Sequence, residues 1–316
     1  MNKIGYYIVY ALWYVASLLP MRIHYWLSNL LFYILFYVIR YRRQVVWLNV
    51  VTAFPEREPE EHKEIERRFY RWFCDYLVET IKLMTITPEE LKKRFVFKGT
   101  ELINQCIEEG QSCAFMLGHY CNWEWVTSLI LWVSDKAKRG QIYHPLENKD
   151  FNHLFLHVRQ RMGGICIPMN ETLRQIIQFN RQGTPVAIGY IADQAPFWWN
   201  IHHWCMFLHH DTPVLTGTER IARKMNHAVF YLDITRPQRG YYEAEVKLIT
   251  RQPQAMPEYE ITDQYFRLLE SSIQKHPEYY LWTHDRWKRT RERFNRRFEI
   301  VNGKVREKCR LNQNPK

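Results

Sequence analysis

Residues 112–125 read SCAFMLGHYCNWEW, a short apolar run that breaks at a glycine and passes into a histidine, a cluster of aromatics and a glutamate. Ser112 to Leu117 is too brief and too uniformly apolar for a surface helix and fits a buried strand. Gly118 permits a sharp exit from that strand, and Asn122 is a good N-cap for a helix over Trp123 to Val133. His119 then projects from the C-terminal end of a strand, where open α/β sheets hold their ligands. Glu124, in the first helical turn, comes within reach of one imidazole nitrogen. A carboxylate there fixes the tautomer and steadies the imidazolium, leaving the other nitrogen to take a proton from a hydroxyl. Spacing alone decides nothing, because 13 His and 33 acidic residues in 316 give about 1.4 His with an acid five positions on by chance.

The surrounding rhythm supports the strand. From residue 96 short apolar runs alternate with helical segments, the pattern of an α/β sheet flanked by helices. The expected strands are Ser112–Leu117, Gln141–Tyr143, Gly164–Pro168, Val186–Ile191, Ala228–Thr235 and Tyr242–Leu248. The last two are joined across RPQRGY and predict an antiparallel hairpin at one end of a mixed sheet. Helices are expected over Asp150–Met162, Glu171–Arg181, Thr218–Met225 and Ile261–Lys275. Upstream, AFPEREPEE (Ala53–Glu61) reads as a polar linker into a helix whose stripe is Ile65, Phe69, Trp72, Phe73, Tyr76, Leu77 and Ile81.

The N-terminus is different in character. Ile4–Leu19 and Trp26–Ile39 are uncharged runs of sixteen and fourteen residues, interrupted by Pro20 and Arg22 and succeeded by Arg40, Arg42 and Arg43. Neither reaches the roughly 20 residues that a straight spanning helix needs. Two buried core helices are one reading. The other is a membrane anchor, a helical hairpin or a tilted span, with Trp13, Tyr14, Trp26 and Tyr37 at the interface and the arginines holding the downstream chain on the cytoplasmic side. The division expected is an anchor over 1–45, a linker and amphipathic segment over 46–95, a catalytic domain over 96–290 and a basic tail over 291–316. Seven Cys without a CxxC pair suggest neither a disulfide framework nor a zinc ribbon. A net charge of +11 calls for an anionic partner. Much of it lies in Asp285–Arg310, with eleven Lys or Arg against four acids, either a solvated basic helix or a grip on anionic headgroups or an acidic protein.

Four further stretches give the chain a resemblance. They are R-x6-N-x3-AFPE over Arg42 to Glu56 with Asn49, ENKDFNHLFLHVRQRMGG (Glu147–Gly164), ADQAP (Ala192–Pro196) and PEYYLWTHDRWKRT (Pro277–Thr290). With H-x4-E at His119 and Glu124 behind a hydrophobic N-terminus, the chain resembles the bacterial lipid A biosynthesis late acyltransferases of the lysophospholipid acyltransferase superfamily. The resemblance implies a glycerolipid acyltransferase-like fold with an N-terminal hydrophobic helical membrane anchor, at the cytoplasmic face of a bacterial inner membrane. It implies transfer of a fatty acyl chain from acyl carrier protein, or from coenzyme A, to a hydroxyl of a lipid A precursor, without a further cofactor. His119 takes the place of the catalytic base and Glu124 that of its orienting acid. Arg159 or Arg161 takes the basic position near donor or oxyanion, and Asp193 with Gln194 lines the acceptor site. A structural ion pair or cap is the alternative for each of these four. His284, Arg286 and Lys288 match the closing segment.

One segment departs from the family pattern. WWNIHHWCMFLHHDTPVLTG (Trp198–Gly217) stands where a glycine-containing aromatic stretch is usual, which bears on acceptor or chain-length preference. His202, His203, His209 and His210 there do not read as a metal site, because adjacent pairs seldom converge on one ion. Cys121 beside His119 suggests an acyl-cysteine, but that arrangement lacks a separate base. Two other functions compete: the same chemistry on a glycerophospholipid, aminolipid or glycolipid, and a non-enzymatic basic protein binding membrane or nucleic acid. The nucleic-acid version is not expected, for no RNP-like, zinc-finger or helix-turn-helix pattern is present.

Overall fold

The computed structural model describes residues 3–308, so Cys309, Arg310 and the rest of the expected tail lie outside the described residues. The chain begins with three apolar helices, α1 (Lys3–Leu18), α2 (Met21–Tyr33, continued by a π turn Ile34–Val38) and α3 (Arg43–Ala53). They pack on α4 (Pro59–Lys82), which starts where the linker acids predict, with Pro59 in its first turn and a capping box between Glu58 and Glu61. The stripe of α4 is largely core: Ile65, Phe69, Trp72, Phe73 and Tyr76 are buried, while Leu77 and Ile81 are half-buried. Polar contacts fix the packing. Ser28 Oγ donates to Asp75 Oδ1 at 2.6 Å, Lys82 Nζ to the Ser17 carbonyl at 3.0 Å, and Arg43 holds Glu66 with two bonds of 2.9 and 2.8 Å.

No described helix is long and apolar enough to cross a membrane by itself; Met21–Val38 and Arg43–Ala53 reach that length only jointly, bent by 89°. The outer surface of α1 and α2 is nonetheless strongly apolar, with Leu12, Trp26 and Val38 exposed by 66%, 65% and 76%.

After α5 (Pro88–Arg94) the chain builds a seven-stranded sheet from β1 (Phe95–Lys98), β2 (Cys113–Leu117), β3 (Lys138–Tyr143), β4 (Ile165–Pro168), β5 (Val186–Ile191), β8 (Ala228–Gln238) and β9 (Tyr241–Thr250). The order is β1-β9-β8-β2-β5-β3-β4. Every pairing is parallel except the β8–β9 hairpin, so the sheet is mixed, as its alternating hairpin sequence predicts. The flanking helices are α6 (Thr100–Glu108), α7 (Lys149–Gln160), α8 (Thr172–Arg181), α9 (Gly217–Met225) and α10 (Glu260–Lys275).

Several elements differ from the sequence expectation. Strand β1 and helix α6 are not among those expected, and β1 pairs outside β9, so the β8–β9 hairpin lies one strand in from the sheet edge. The helix expected over Trp123–Val133 is a 3-10 segment, Trp125–Leu131. Asn122 caps it, accepting from the Trp125 amide at 2.9 Å, but Thr127 and Ser128 then donate back to carbonyls three residues earlier at 2.9 and 2.7 Å, which tightens the coil. The departing segment contains a hairpin, β6 (His203–Phe207) and β7 (His210–Val214), turned by Leu208 and His209 at φ +50° and +64°. Such turns normally advertise themselves with Asn or Gly, so nothing in the sequence marked this one. The basic tail folds as α11 (Arg291–Arg297) and a small hairpin, β10 (Phe298–Val301) with β11 (Lys304–Glu307).

Candidate active site

Strand register brings the central pair together. Leu117 of β2 is paired in parallel with Ile191 of β5, and His119 and Asp193 each come two residues later, leaving adjacent strands side by side. Imidazole Nδ1 lies 2.8 Å from Asp193 Oδ1. Asp193 is 1% exposed. Burial works against its ionisation, but the His119 charge and hydrogen bond outweigh it and hold the carboxyl below its usual range. A carboxylate on Nδ1 selects the Nδ1–H tautomer, which makes Nε2 an acceptor. Gln194 Nε2 lies 3.4 Å from that Nε2.

This arrangement corrects the expected dyad. Glu124 makes no hydrogen bond to His119; its carboxylate is taken by Arg159, whose Nε donates to Oε2 at 2.8 Å and Nη2 to Oε1 at 2.5 Å. The 3-10 coil turns the side chain toward α7, where a guanidinium offers two parallel bonds. Burial opposes the Arg159 charge and Glu124 overcomes it, so the arginine is held firmly protonated. Nη1 of Arg159 is uncommitted among the described residues. Arg161 goes elsewhere: it donates to the Leu83 and Ile86 carbonyls, tying α7 to the end of α4, and does not reach the cavity wall.

His119, Glu124, Arg159 and Gln194 line a cavity of about 490 Å³. The remainder is chiefly apolar, running between the sheet and the 3-10 segment past Leu117, Phe115, Gly189, Leu129, Ile130 and Val133. Gly118 makes room for α10: a Cβ there would meet Leu269 Cδ1 at 2.7 Å, so the leucine side chain would have to shift.

The loop carrying His119 is clamped by distant sequence. Leu281 donates its amide to the His119 carbonyl at 3.0 Å and Cys121 to the Tyr279 carbonyl at 2.9 Å, so Tyr120 and Tyr280 form a β-bridge. Asn49 Nδ2 in turn donates to the Trp282 and His284 carbonyls at 2.8 and 2.9 Å. The Ala195 amide donates to His284 Nε2 at 3.2 Å; burial lowers His284 to about 4, so it is a neutral acceptor. Arg286, 1% exposed, donates to the Pro213 carbonyl; burial pulls its pKa below the ordinary value, opposed in part by Tyr280 and Asp193. Asn49, Tyr280 and Arg286 thus hold the site from behind. Their motifs were visible in sequence, but their convergence needed the fold.

Cys121 is not a nucleophile here: it is completely buried, burial raises its thiol far above the ordinary value, and its Sγ faces the Ile234 carbonyl at 3.6 Å. Among the described residues the histidines of the departing segment form no metal-capable cluster, and three of the four go to different partners. His203 bonds Asp263 at 2.8 Å, His209 approaches Glu56 at 3.6 Å, and His210 stacks on Trp287.

Three of the motif segments line this cavity, and the other two, through Asn49 and residues 279–284, hold the His119 loop from behind. The family described as bacterial lipid A biosynthesis acyltransferase matches residues 1–289. This chain belongs to that family. Among individual relatives it is similar to the lipid A biosynthesis myristoyltransferase of Escherichia coli (strain K12), 25% identical over 141 residues, 45% of this chain and 43% of the relative. The lipid A biosynthesis acyltransferases 1 and 2 of Shigella flexneri are 25% and 23% identical over 141 and 144 residues, covering 45% and 46% of this chain and 43% and 45% of theirs. The chain therefore matches a little under half the length of these relatives, while the acyltransferase family match takes in every residue of the site.

Proposed function

We propose that the chain transfers a fatty acyl group from a thioester, with acyl carrier protein as the donor's carrier, to a hydroxyl of a lipid A precursor at a membrane surface. The observation that carries this reading is His119, tethered by buried Asp193, presenting Nε2 to an apolar cavity. The tether supplies a base of fixed tautomer and the cavity a water-poor slot of about 490 Å³ for an acyl chain.

In the step proposed, His119 Nε2 takes the acceptor hydroxyl proton as the alcohol oxygen bonds to the thioester carbonyl carbon. Negative charge gathers on the carbonyl oxygen, within the field of Arg159, whose free Nη1 suits it and whose orientation is set by Glu124. Collapse breaks the carbon–sulfur bond, and the imidazolium returns its proton to the departing thiolate. Products are an ester and a thiol. Glu124 acts through Arg159 and is a positioning residue, while Asp193 performs the role that H-x4-E spacing suggested for Glu124.

Membrane association is supported by the exposed apolar surface of α1 and α2 and by the arginines just beyond them. The acidic carrier and the phosphorylated acceptor both suit a net charge of +11. The test is acylation of a lipid A precursor by the purified full chain, read by mass spectrometry with acyl carrier protein and coenzyme A thioesters offered in parallel. Product one acyl mass heavier, lost by at least a hundredfold in His119→Ala, is expected. An unchanged acceptor with every donor, or full turnover by His119→Ala, would overturn the reading.

A further inference from the structure

A second cavity lies outside the site described above. It measures about 620 Å³ and is walled by α2 (Ser28, Asn29, Phe32), α4 (Arg71, Asp75) and the β8–β9 turn (Arg236, Arg239). The turn is pressed against α2. Gly240 sits at φ +77°, where a Cβ would meet the Tyr25 hydroxyl at 1.9 Å, so only glycine lets the arginine-bearing turn close here.

Charge in the cleft does not cancel. Three guanidiniums line the cleft with one carboxylate, Asp75, and Glu79 is fully buried outside that lining. Asp75 accepts from Ser28, Arg236 and Arg239, which fixes both arginines. Glu79 spends its oxygens on Tyr25, Tyr242 and Asn122 at 2.9, 2.6 and 2.7 Å, lying 3.8 Å from Arg236. Arg236 has a side chain only 8% exposed, yet its Nε is buried with no acceptor among the described residues. A buried guanidinium with an unmet donor is costly unless something accepts from it. Arg71 is exposed at the rim, lies over the Phe32 ring at 4.7 Å, and makes no ion pair among the described residues. Beside that rim runs the apolar outer face of α2, with Leu30 and Tyr33 exposed by 49% and 55%.

We propose that this cleft binds a phosphate monoester group, carried by an amphiphile whose hydrocarbon lies along α2. Planar guanidiniums match phosphate oxygens in pairs; Arg71, exposed at the rim, and Arg239, whose side chain is 39% exposed, are accessible from the cleft, and buried Arg236 adds a third positive charge, which suits a dianion better than a single carboxylate. The acceptor of the transfer reaction and a bilayer phospholipid share this chemistry. Assignment to the acceptor rests on the acyl-transfer reading, whereas binding itself does not.

The experiment titrates the full chain in dodecyl maltoside micelles with dodecyl phosphate and, separately, with inorganic phosphate, monitored by phosphorus NMR. Saturable dodecyl phosphate binding is expected, about tenfold weaker in Arg71→Gln and in Arg236→Gln, partly restored in Arg71→Lys and retained in His119→Ala and in Arg67→Gln, whose arginine lies outside the cleft. If Arg236→Gln fails to fold, Arg71→Gln still decides, because that side chain is exposed and outside the ion-pair network. A second arm compares kcat/KM for the precursor with and without its phosphates: a preference that shrinks about tenfold in Arg71→Gln assigns the site to the acceptor. Weaker flotation of the same variant with phosphatidic acid vesicles, at unchanged preference, assigns the phosphate site to the bilayer. Inorganic phosphate binding as tightly as dodecyl phosphate, with the same arginine dependence, keeps the site and assigns it to a soluble anion. Dodecyl phosphate binding that is absent, or equal in wild type and Arg71→Gln, would overturn the proposal.

Discussion

At the scale of single residues, the site is an exchange of partners. A glutamate five positions from a histidine invites pairing, but Asp193 already meets Nδ1 from the neighbouring strand, and Glu124 serves a guanidinium instead. Breaking the Glu124–Arg159 pair carries its own cost. Arg159→Ala leaves Glu124, only 4% exposed, as an uncompensated buried charge, which is expected to cost about 3–5 kcal/mol of stability. Arg159→Lys keeps the charge, loses the two parallel bonds, and should fall between. Urea denaturation checks this: wild-type stability in Arg159→Ala would contradict it. Sequence showed His119, Asp193 and Gln194 at strand ends. It could not show which acid served the imidazole, because that depends on the Leu117–Ile191 register, a contact across 74 residues.

At the scale of elements, β2, β5 and the 3-10 segment shape the apolar half of the cavity, and Gly189 of β5 is where room is made. A Cβ at Gly189 would meet nothing nearer than the Gly140 carbonyl oxygen at 3.7 Å, so a larger side chain enters the cavity without displacing backbone. Gly189→Leu is expected to shift the preferred donor toward acyl chains shorter by a few carbons, with turnover on the shorter donor preserved within about threefold; each methylene excluded forfeits about 0.8 kcal/mol of burial. Competition between thioesters of different length reads it, and an unshifted optimum would remove the chain from this cavity. Most of these strands and helices were legible from period and punctuation. The 3-10 coil was not, because Thr127 and Ser128 bond locally, nor was the β6–β7 hairpin, turned by Leu208 and His209 without a glycine.

At the scale of the whole molecule, one core cluster reaches from Met21 to Trp282 and supplies Phe32 to the cationic cleft and Phe115 and Leu117 to the cavity. Leu12, Trp26 and Val38 lie on its outer surface and touch the interior little, so replacing all three by Ser should leave the melting temperature nearly unchanged while reducing recovery with floated anionic vesicles several-fold. Recovery equal to wild type would exclude this surface as the membrane contact. Acid should weaken the molecule as a unit. Burial lowers His227 to about 4, against an ordinary value of 6.5, and its Nδ1 has no partner among the described residues. Above pH 6.5 both folded and unfolded chains carry it neutral and its contribution is complete. Below 6.5 the unfolded chain takes a proton that the fold refuses, so stability falls until about pH 4. Between pH 6.5 and 5 the loss from this residue is about 2 kcal/mol, and His227→Phe should flatten that slope in denaturant titrations; an equally steep slope in the variant would contradict the assignment.

The central claim is that Asp193, not Glu124, steadies the base. The most direct measurement is the single-turnover rate of acyl transfer at saturating substrates for Asp193→Asn and Glu124→Gln, each confirmed as folded. With Asp193→Asn the tautomer is no longer fixed and the imidazolium loses its counter-charge, so the chemical step should slow by about 10²–10⁴. Glu124→Gln should slow it less, and the loss should track the weakened hold on Arg159. A rate near wild type in Asp193→Asn, beside a collapse in Glu124→Gln, would contradict the account.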